Sequence, residues 1–203
     1  MKSAWLAILV ILLAAGVTAA DFTDYSDIAV SSPLITQIYN NPELSDLEDV
    51  DLSSESQIKL YENFGADICL ALSNRYKDKI DFLCYGDIQE RLNNAESWNL
   101  FNRNFTGSNH VPSEISAGLV DKLGVVGVVN SYLMFSYYEN SNQAQHMEVH
   151  FEWYLIDMAS GESVLSDEYK CQNDFRIKSD DSAGEFDCFA GIIEYLENYG
   201  GNK

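Results

Sequence analysis

The chain has 203 residues, with 12 basic and 32 acidic side chains and a formal net charge of −20. A surface this acidic repels nucleic-acid phosphates and anionic lipid headgroups, so we expect neither a nucleic-acid partner nor a role on membrane surfaces. The length corresponds to one domain with a core of its own.

The first 20 residues have the pattern of a secretory signal peptide. A basic start at Lys2 precedes an apolar run, 4–15, and small residues then lead to a cleavage site that we place after Ala20. The apolar run is shorter than the roughly 20 residues of a spanning helix, and no later segment approaches that length. Asp21, not a cysteine, follows the cut, so no lipid anchor is expected. We therefore predict a soluble protein without a membrane span, in the periplasm or secreted.

The segment 21–53 is rich in Asp, Glu, Ser and Asn and holds two of the three prolines, which predicts an acidic, extended arm. Its one apolar piece, 28–30, is a candidate edge strand or first strand. The arm either wraps around the rest of the protein or waits for a partner. Residues 54–203 are predicted to form a single domain.

Capping pairs and helical spacing predict the first elements of that domain. A capping box at Ser54 opens a helix to Asn74, and a short strand follows at 80–85. A second capping box at Asp87 opens a helix to about Asn94.

The segment 98–110 is predicted to be a loop, because Trp98, Phe101 and Phe105 stand among asparagines and a glycine. Three aromatic residues in a loop either pin it to the core or form a ligand-contact surface, as in a carbohydrate-binding module. A helix from about 112 to 123 comes next.

Three consecutive strands are predicted at 125–139, 146–157 and 163–172, followed by a closing helix at 183–199. The middle strand alternates between apolar and polar residues, so one of its faces is buried and the other is polar. Its apolar positions are Met147, Val149, Phe151, Trp153 and Leu155. The apolar stripe of the closing helix is Phe186, Phe189, Ala190, Ile193 and Leu196. The predicted fold class is α+β: a mixed sheet with a C-terminal antiparallel three-stranded meander packed against several helices.

Three short motifs in this order of elements resemble a bacterial envelope family. In 81–88 a strand is followed by an acidic residue that opens a helix, in 123–129 a helix ends in Leu-Gly before a strand, and 157–162 has the Asp and Gly-Glu of a hairpin tip. A weaker counterpart of the family's first strand lies at 27–30. The family comprises the curli secretion component CsgG, the penicillin-binding-protein activator LpoB and the N-terminal domain of the translocation protein TolB. The resemblance covers roughly 54–199.

What this resemblance implies is a non-catalytic periplasmic module that binds other proteins, with no indication of which ones. The sequence departs from the family in two respects. The lipobox cysteine that many relatives carry is absent, and nothing matches the long membrane-inserting hairpins of the curli channel.

The four cysteines form no Cys-x-x-Cys pair, which argues against a zinc knuckle or a thioredoxin-like redox site. In an exported protein they are candidates for disulfides, with three pairings open. Proximity in sequence favours Cys69 with Cys84 and Cys171 with Cys188. The first bridge is the less favoured, because Cys69 lies in mid-helix and helix-to-sheet spacing often exceeds disulfide reach. Some of the four are alternatively plain buried thiols.

The sharpest chemical candidate is the polar side of the middle strand, with His146, Glu148, His150 and Glu152 as metal ligands. Alternate strand positions stand about 6.6–7 Å apart, so a zinc site needs converging side chains and a ligand from a neighbouring strand, such as Glu168. Alternating charged and imidazole side chains are also ordinary on the solvent side of a sheet.

A second candidate is a weak binding surface for a protein edge or a glycan. It consists of Tyr132, Tyr138 and Tyr154 with His150, and of Trp98 in the predicted loop. Tyrosines are also simply good strand formers, so each one alone has an ordinary structural explanation.

We do not expect an enzyme, because the sequence has no Gly-x-Ser-x-Gly elbow and no phosphate-binding glycine loop. We expect no cofactor. The predicted function is an exported protein-binding or assembly module of the cell envelope, with an envelope or secreted protein as partner and a homo-oligomer left open. The alternatives are a divalent-metal-binding protein and a carbohydrate-binding module.

Overall fold

The computed structural model describes residues 21–39, 55–139, 145–175 and 183–200, with side chains for 21–36, 63–136, 147–172 and 188–200. The predicted signal peptide at 1–20, the capping residue Ser54 and Phe186 of the closing helix lie outside the described residues or side chains. Within the described stretches, no helix combines the length and the apolar character needed to cross a bilayer.

Five α-helices and six strands occur in the described ranges. The helices are α1 Glu55–Arg75, α2 Tyr85–Arg91, α3 Ala95–Phe105, α4 Ser113–Leu123 and α5 Ala183–Asn198. The strands are β1 Asp27–Val30, β2 Leu34–Tyr39, β3 Asp81–Leu83, β4 Gly127–Glu139, β5 Gln145–Asp157 and β6 Ser163–Phe175.

All six strands form one mixed sheet in the order β3-β1-β4-β5-β6, with β2 also paired to β4. β1 is parallel to both β3 and β4. β2 continues along the same edge of β4, parallel to it, after a break at 31–33. Residues 27–30 and 34–39, which the sequence assigns to an extended arm, are therefore strands of the sheet. The rest of the predicted arm, 40–53, lies outside the described residues.

The meander is confirmed, and with it the α+β fold class. β4 and β5 are antiparallel from the pair Gly127 and Asp157 to the pair Glu139 and Gln145. β5 and β6 are antiparallel as well, with one irregularity in register next to Leu155. The five apolar positions predicted for β5 are all buried. Their alternation fixes the register, because a slip by one residue would turn all of them toward the other face.

α1 and α5 cover one face of the sheet, which we call the first face. A disulfide connects each of these two helices to the sheet or to the residue directly after a strand. Cys69 of α1 is bonded to Cys84, directly after β3, and Cys171 of β6 is bonded to Cys188 of α5. Each pair has a Cα–Cα distance of 5.7 Å, within the normal disulfide range. Both pairings favoured by sequence proximity are therefore present, and the mid-helical position of Cys69 does not prevent its bridge.

The second face is covered by α2, α3 and α4, but only over β3, β1, the start of β4 and the end of β5. α3 corrects the sequence analysis, which predicts a loop there. The side chain of Asn94 caps the helix by accepting from the Ser97 backbone at 2.8 Å. Phe101 and Phe105 are fully buried on its inner side. Burial of this aromatic stripe outweighs the low helix propensity of the asparagines.

Two further predictions are corrected. α2 begins at Tyr85 with Cys84 in the capping position, so Asp87 lies inside the first turn and caps nothing. In α5, Ile192 packs into the core together with the predicted Phe189 and Leu196, while Ala190 is exposed.

Candidate functional site on the open face of the sheet

The candidate site is the part of the second sheet face that the core leaves uncovered. The second core cluster extends to Val128 on β4 and back to Tyr154 on β5. Beyond it, mostly polar side chains of β4, β5 and β6 lie in rows set by the register, such as Tyr132 beside Glu152 and His150 beside Lys170. We call the following positions the open face: Tyr132, Met134, Ser136, Glu148, His150, Glu152, Tyr154, Ser166, Glu168, Lys170 and Gln172.

Asn130 marks the border between the covered and the open part. Its side chain is fully buried on the same face as Tyr154, its neighbour in the register. Its amide nitrogen donates to the carbonyl of Ser108 at 2.8 Å, and its oxygen accepts from the Ser31 hydroxyl at 3.0 Å. The alternation of the strand gives no sign of this role, because nothing local shows that the loop before α4 reaches the sheet.

His150 lies in the middle of the open face between two carboxylates. Its Nε2 atom is 2.8 Å from Oε2 of Glu168 and 3.3 Å from Oε1 of Glu152. Lys170 also contacts Glu168, with 3.2 Å between Nζ and Oε2. Hydrogen bonds from His150 and then Lys170 hold the pKa of Glu168 below its usual value, so this carboxylate stays ionised through the neutral range.

Tyr154 fixes the other side of this cluster. Its hydroxyl donates to Oε2 of Glu152 at 2.5 Å, while the second oxygen of Glu152 faces His150. That hydrogen bond, together with burial, raises the pKa of Tyr154 to about 12. The phenol is therefore neutral and a donor at physiological pH. A shallow depression of about 250 Å³ is lined by Glu152, Tyr154, Ser166, Asp167 and Glu168.

The cluster has a plausible set of metal ligands. One ligand atom each from His150, Glu152 and Glu168 lie within 4.8 Å of one another. In a tetrahedral zinc site with bonds of about 2.0–2.2 Å, ligand atoms stand roughly 3.3–3.6 Å apart. Small side-chain rotations would bring this set onto one ion. Lys170 competes for Glu168, however, because it already supplies a positive charge to that carboxylate.

The structure brings together part of the predicted metal set. His150 and Glu152 converge, and the converging third group is Glu168, the neighbouring-strand ligand expected from the sequence. Glu148 lies one row further along the same face. The side chain of His146 lies outside the described residues.

The predicted binding residues are only partly adjacent. Tyr132 and Tyr154 both belong to the open face, and the Tyr132 hydroxyl is 2.6 Å from that of Thr36 on β2. The Tyr138 side chain lies outside the described residues. Trp98 is in α3, with its ring 5.1 Å from that of Tyr85, so it is packed in the helical layer and not on the strands. The carbohydrate-binding alternative required an exposed aromatic loop and therefore loses its structural basis.

Comparisons with known proteins find distant structural similarities and no family. No protein-family model matches this sequence, and neither does any curated protein. Among solved structures, a hypothetical protein from Chlamydia trachomatis matches with a TM-score of 0.49 and 12% identity, over 86% of this chain and 96% of that one. The C-terminal domain of LpoB from Salmonella enterica matches with a TM-score of 0.37 and 17% identity, over 82% and 93%. The PelC dodecamer from Paraburkholderia phytofirmans matches with a TM-score of 0.38 and 13% identity, over 89% and 91%.

LpoB is one of the proteins that the sequence motifs resemble. Its C-terminal domain, from Salmonella enterica and from Escherichia coli, is among the solved structures that this chain matches. With identities this low, neither an activity nor a partner is transferred from these proteins to this chain.

Proposed function

We propose that this chain is an exported, non-catalytic module that binds another envelope or secreted protein through its open face. The observation that carries the proposal is that the three longest strands, of 13 residues each, present contiguous polar and tyrosine side chains, of which only Tyr154 packs against a core cluster. The opposite face of β4 and β5 supplies buried residues to the first core cluster. Side chains of the open face can therefore bind a partner while the packing of the core stays unchanged.

The chemistry of the open face suits a polar, partly cationic protein surface. Tyr132 and Tyr154 offer large contact areas with little side-chain entropy to lose. The carboxylates Glu148, Glu152 and Glu168 outnumber the one lysine of this face, Lys170. Complementary basic groups on a partner would accelerate association and set its orientation.

Export is supported by two independent features. The first 20 residues have the composition of a signal peptide. The chain also forms two disulfides, which persist in oxidising compartments and are rare in the cytosol.

A second copy of this chain is a poor candidate for the partner. Two copies that met through their open faces would bring Glu148, Glu152 and Glu168 of one copy close to the same carboxylates of the other, and the chain has a net charge of −20. Like charges brought together at an interface oppose association. The proposal therefore takes a different protein as the partner.

The test is site-specific photo-crosslinking in the native envelope. A benzoylphenylalanine at Met134 or Gln172 probes the open face, and one at Asp121, exposed on α4, is the matched control. We expect a discrete crosslinked protein from the two open-face positions and none from the control. Identical crosslinks from all three positions, or none from the open face, would rule the proposal out.

Divalent-metal binding is the second candidate, favoured by the convergence of His150, Glu152 and Glu168. Zinc at about 100 times its Kd would stabilise the folded state by about 2.7 kcal/mol. His150→Ala should abolish that effect. The matched control is His110→Ala, since His110 also pairs with a carboxylate, Glu162 at 3.3 Å, but on an exposed bridge away from the cluster. An unchanged Tm and no bound zinc in the wild type would eliminate this candidate and leave the protein-binding proposal intact.

A further inference from the structure

A groove between α1 and α5 lies on the first side of the sheet, opposite the open face. It encloses about 560 Å³. Its lining comes from positions 63–71 of α1 and 189–197 of α5. Both stretches span eight residue steps, so the groove is about 12 Å long, which is two to three turns of a third helix.

The floor of the groove is apolar, and so is part of its lip. Phe64 and Phe189 lie at the bottom with ring centroids 4.6 Å apart. Leu70 stands at the lip with 58% of its surface exposed, the largest exposed fraction among the large hydrophobic residues that the structure describes. Ala190 and Ile193 line the α5 side. An exposed leucine above a phenylalanine floor has the form of the hydrophobic grooves that accept amphipathic helices.

The rim of the groove is acidic. Asp67 of α1 and Glu194 and Glu197 of α5 line it, and the lining contains no lysine or arginine. An apolar floor between carboxylates on both sides complements a helix whose apolar stripe is flanked by basic residues.

Both helices of the groove are held in place covalently. Cys69 lies two residues after Asp67 in α1, and Cys188 directly precedes Phe189 in α5. Each bridge connects its helix to another element, so the spacing of the two helices is largely set before any partner arrives. A preformed site loses little conformational entropy on binding.

From the apolar floor, the acidic rim and the fixed spacing we infer that this groove docks a cationic amphipathic helix of another protein. Neither a second copy of the chain nor its own segment 40–54 fits as well. The chain has a net charge of −20, and that segment carries five carboxylates and no basic residue. The groove is separate from the open face, so this inference does not depend on the proposed function.

The test uses the full-length, disulfide-bonded protein and a synthetic 14-residue helix with leucines on one face and lysines on the other. Its control peptide has glutamates in place of the lysines. Binding is followed by fluorescence anisotropy at low and high salt, and circular dichroism checks the fold of every variant. We expect the lysine peptide to bind more weakly as salt rises, and the glutamate peptide to bind at least about tenfold more weakly.

Matched variants separate the groove from the general acidity of the chain. Ala190→Arg fills the groove and should weaken binding about tenfold, while Ala66→Arg, an exposed alanine of α1 outside the lining, should leave it unchanged. Glu194→Lys with Glu197→Lys should weaken binding at least about fivefold. Glu90→Lys with Asp121→Lys changes the net charge equally on the other side of the sheet, and its effect should stay within about twofold.

Several results would overturn the inference. Absence of binding, equal effects of the two double variants, or equal effects of the two arginine variants would each show that the groove is not the binding site. Sedimentation that reveals self-association, lost in Ala190→Arg, would assign the groove to a second copy instead.

Discussion

The two faces of the sheet differ in how completely they are covered, although the same strands supply both. On the first face, α1 and α5 pack against the strands, and a disulfide anchors each helix. On the second face, three shorter helices cover one end, and the rest carries tyrosines, glutamates and a histidine. Stability is therefore concentrated on one face, which leaves side chains of the other face available for recognition.

The largest expected contrast is between two consecutive residues of β5. Trp153 points into the first face and is 1% exposed, while Tyr154 points to the second face at the border of the open part. Trp153→Ala should lower the free energy of unfolding by about 3–5 kcal/mol because it removes a fully buried ring. Tyr154→Ala should cost about 1–2 kcal/mol. Urea unfolding of both variants measures the contrast, and equal losses would contradict the difference between the faces.

A second contrast involves neighbouring polar residues of β4. Asn130 is buried with two side-chain hydrogen bonds, whereas Ser131 is buried on the first face and its hydroxyl has no hydrogen-bond partner among the described atoms. Asn130→Ala should cost about 2 kcal/mol because it removes two buried side-chain hydrogen bonds and leaves the Ser108 carbonyl without its Asn130 donor. Ser131→Ala should be neutral or stabilise by up to about 1 kcal/mol. Thermal unfolding distinguishes them, and a larger loss for Ser131→Ala would show that the hydroxyl is satisfied.

Two helical glycines sharpen the comparison further. A Cβ atom at Gly191 of α5 would stand 2.5 Å from the Tyr169 hydroxyl, while one at Gly118 of α4 would meet nothing within 4 Å. Gly118→Ala should therefore stabilise the protein by about 0.5–1 kcal/mol through helix propensity. Gly191→Ala should forfeit that gain or destabilise by about 1 kcal/mol, because Tyr169 has to move. Thermal unfolding of the two variants measures this difference. An equal increase in Tm for both variants would mean that α5 packs loosely against Tyr169.

The last expected effect is absent at neutral pH and appears only in alkali, as a loss of stability. Burial raises the pKa of Tyr76, on the first face, to about 12, and a hydrogen bond to Glu152 is the main cause that raises the pKa of Tyr154 to about 12. Tyrosines of the unfolded chain lose their protons near pH 10, so the contribution of these two tyrosines to stability is fully present below pH 10 and is lost as pH rises toward 12.

One substitution distinguishes the two causes of a raised tyrosine pKa, which are burial for Tyr76 and the hydrogen bond to Glu152 for Tyr154. Glu152→Gln should lower the pKa of Tyr154 toward its ordinary value and leave that of Tyr76 unchanged, as measured by absorbance titration of single Tyr→Phe variants. A shift of both tyrosines in Glu152→Gln would show that the two faces are electrostatically coupled.

Much of the fold could be predicted because its signals are local. The alternation from Met147 to Leu155 specifies a half-buried strand, and the helical spacing after Ser54 specifies α1. The interior position of β1 could not be predicted, since its parallel pairing with β3 and β4 joins segments that are far apart in sequence. The α3 helix was missed although Trp98, Phe101 and Phe105 have helical spacing, because the asparagines between them suggested a loop.

The candidate site was predictable only up to the register between strands. The sequence places His150 and Glu152 on one side of β5, and Glu168 as a possible neighbour on β6. Which residue of β6 lies beside Glu152 depends on the turn and on one irregularity in register, and a shift by one residue would turn Glu168 to the other face. The groove between α1 and α5 could not be predicted, because it depends on how two helices distant in sequence pack together.

The most direct test of the difference between the faces compares two methionines of the meander in the unmodified protein. Met147 of β5 is 2% exposed on the first face, and Met134 of β4 belongs to the open face. Oxidation by dilute peroxide, followed by mass spectrometry of the folded protein, should convert Met134 several-fold faster than Met147. Equal rates, or faster oxidation of Met147, would contradict the account of one closed and one open face.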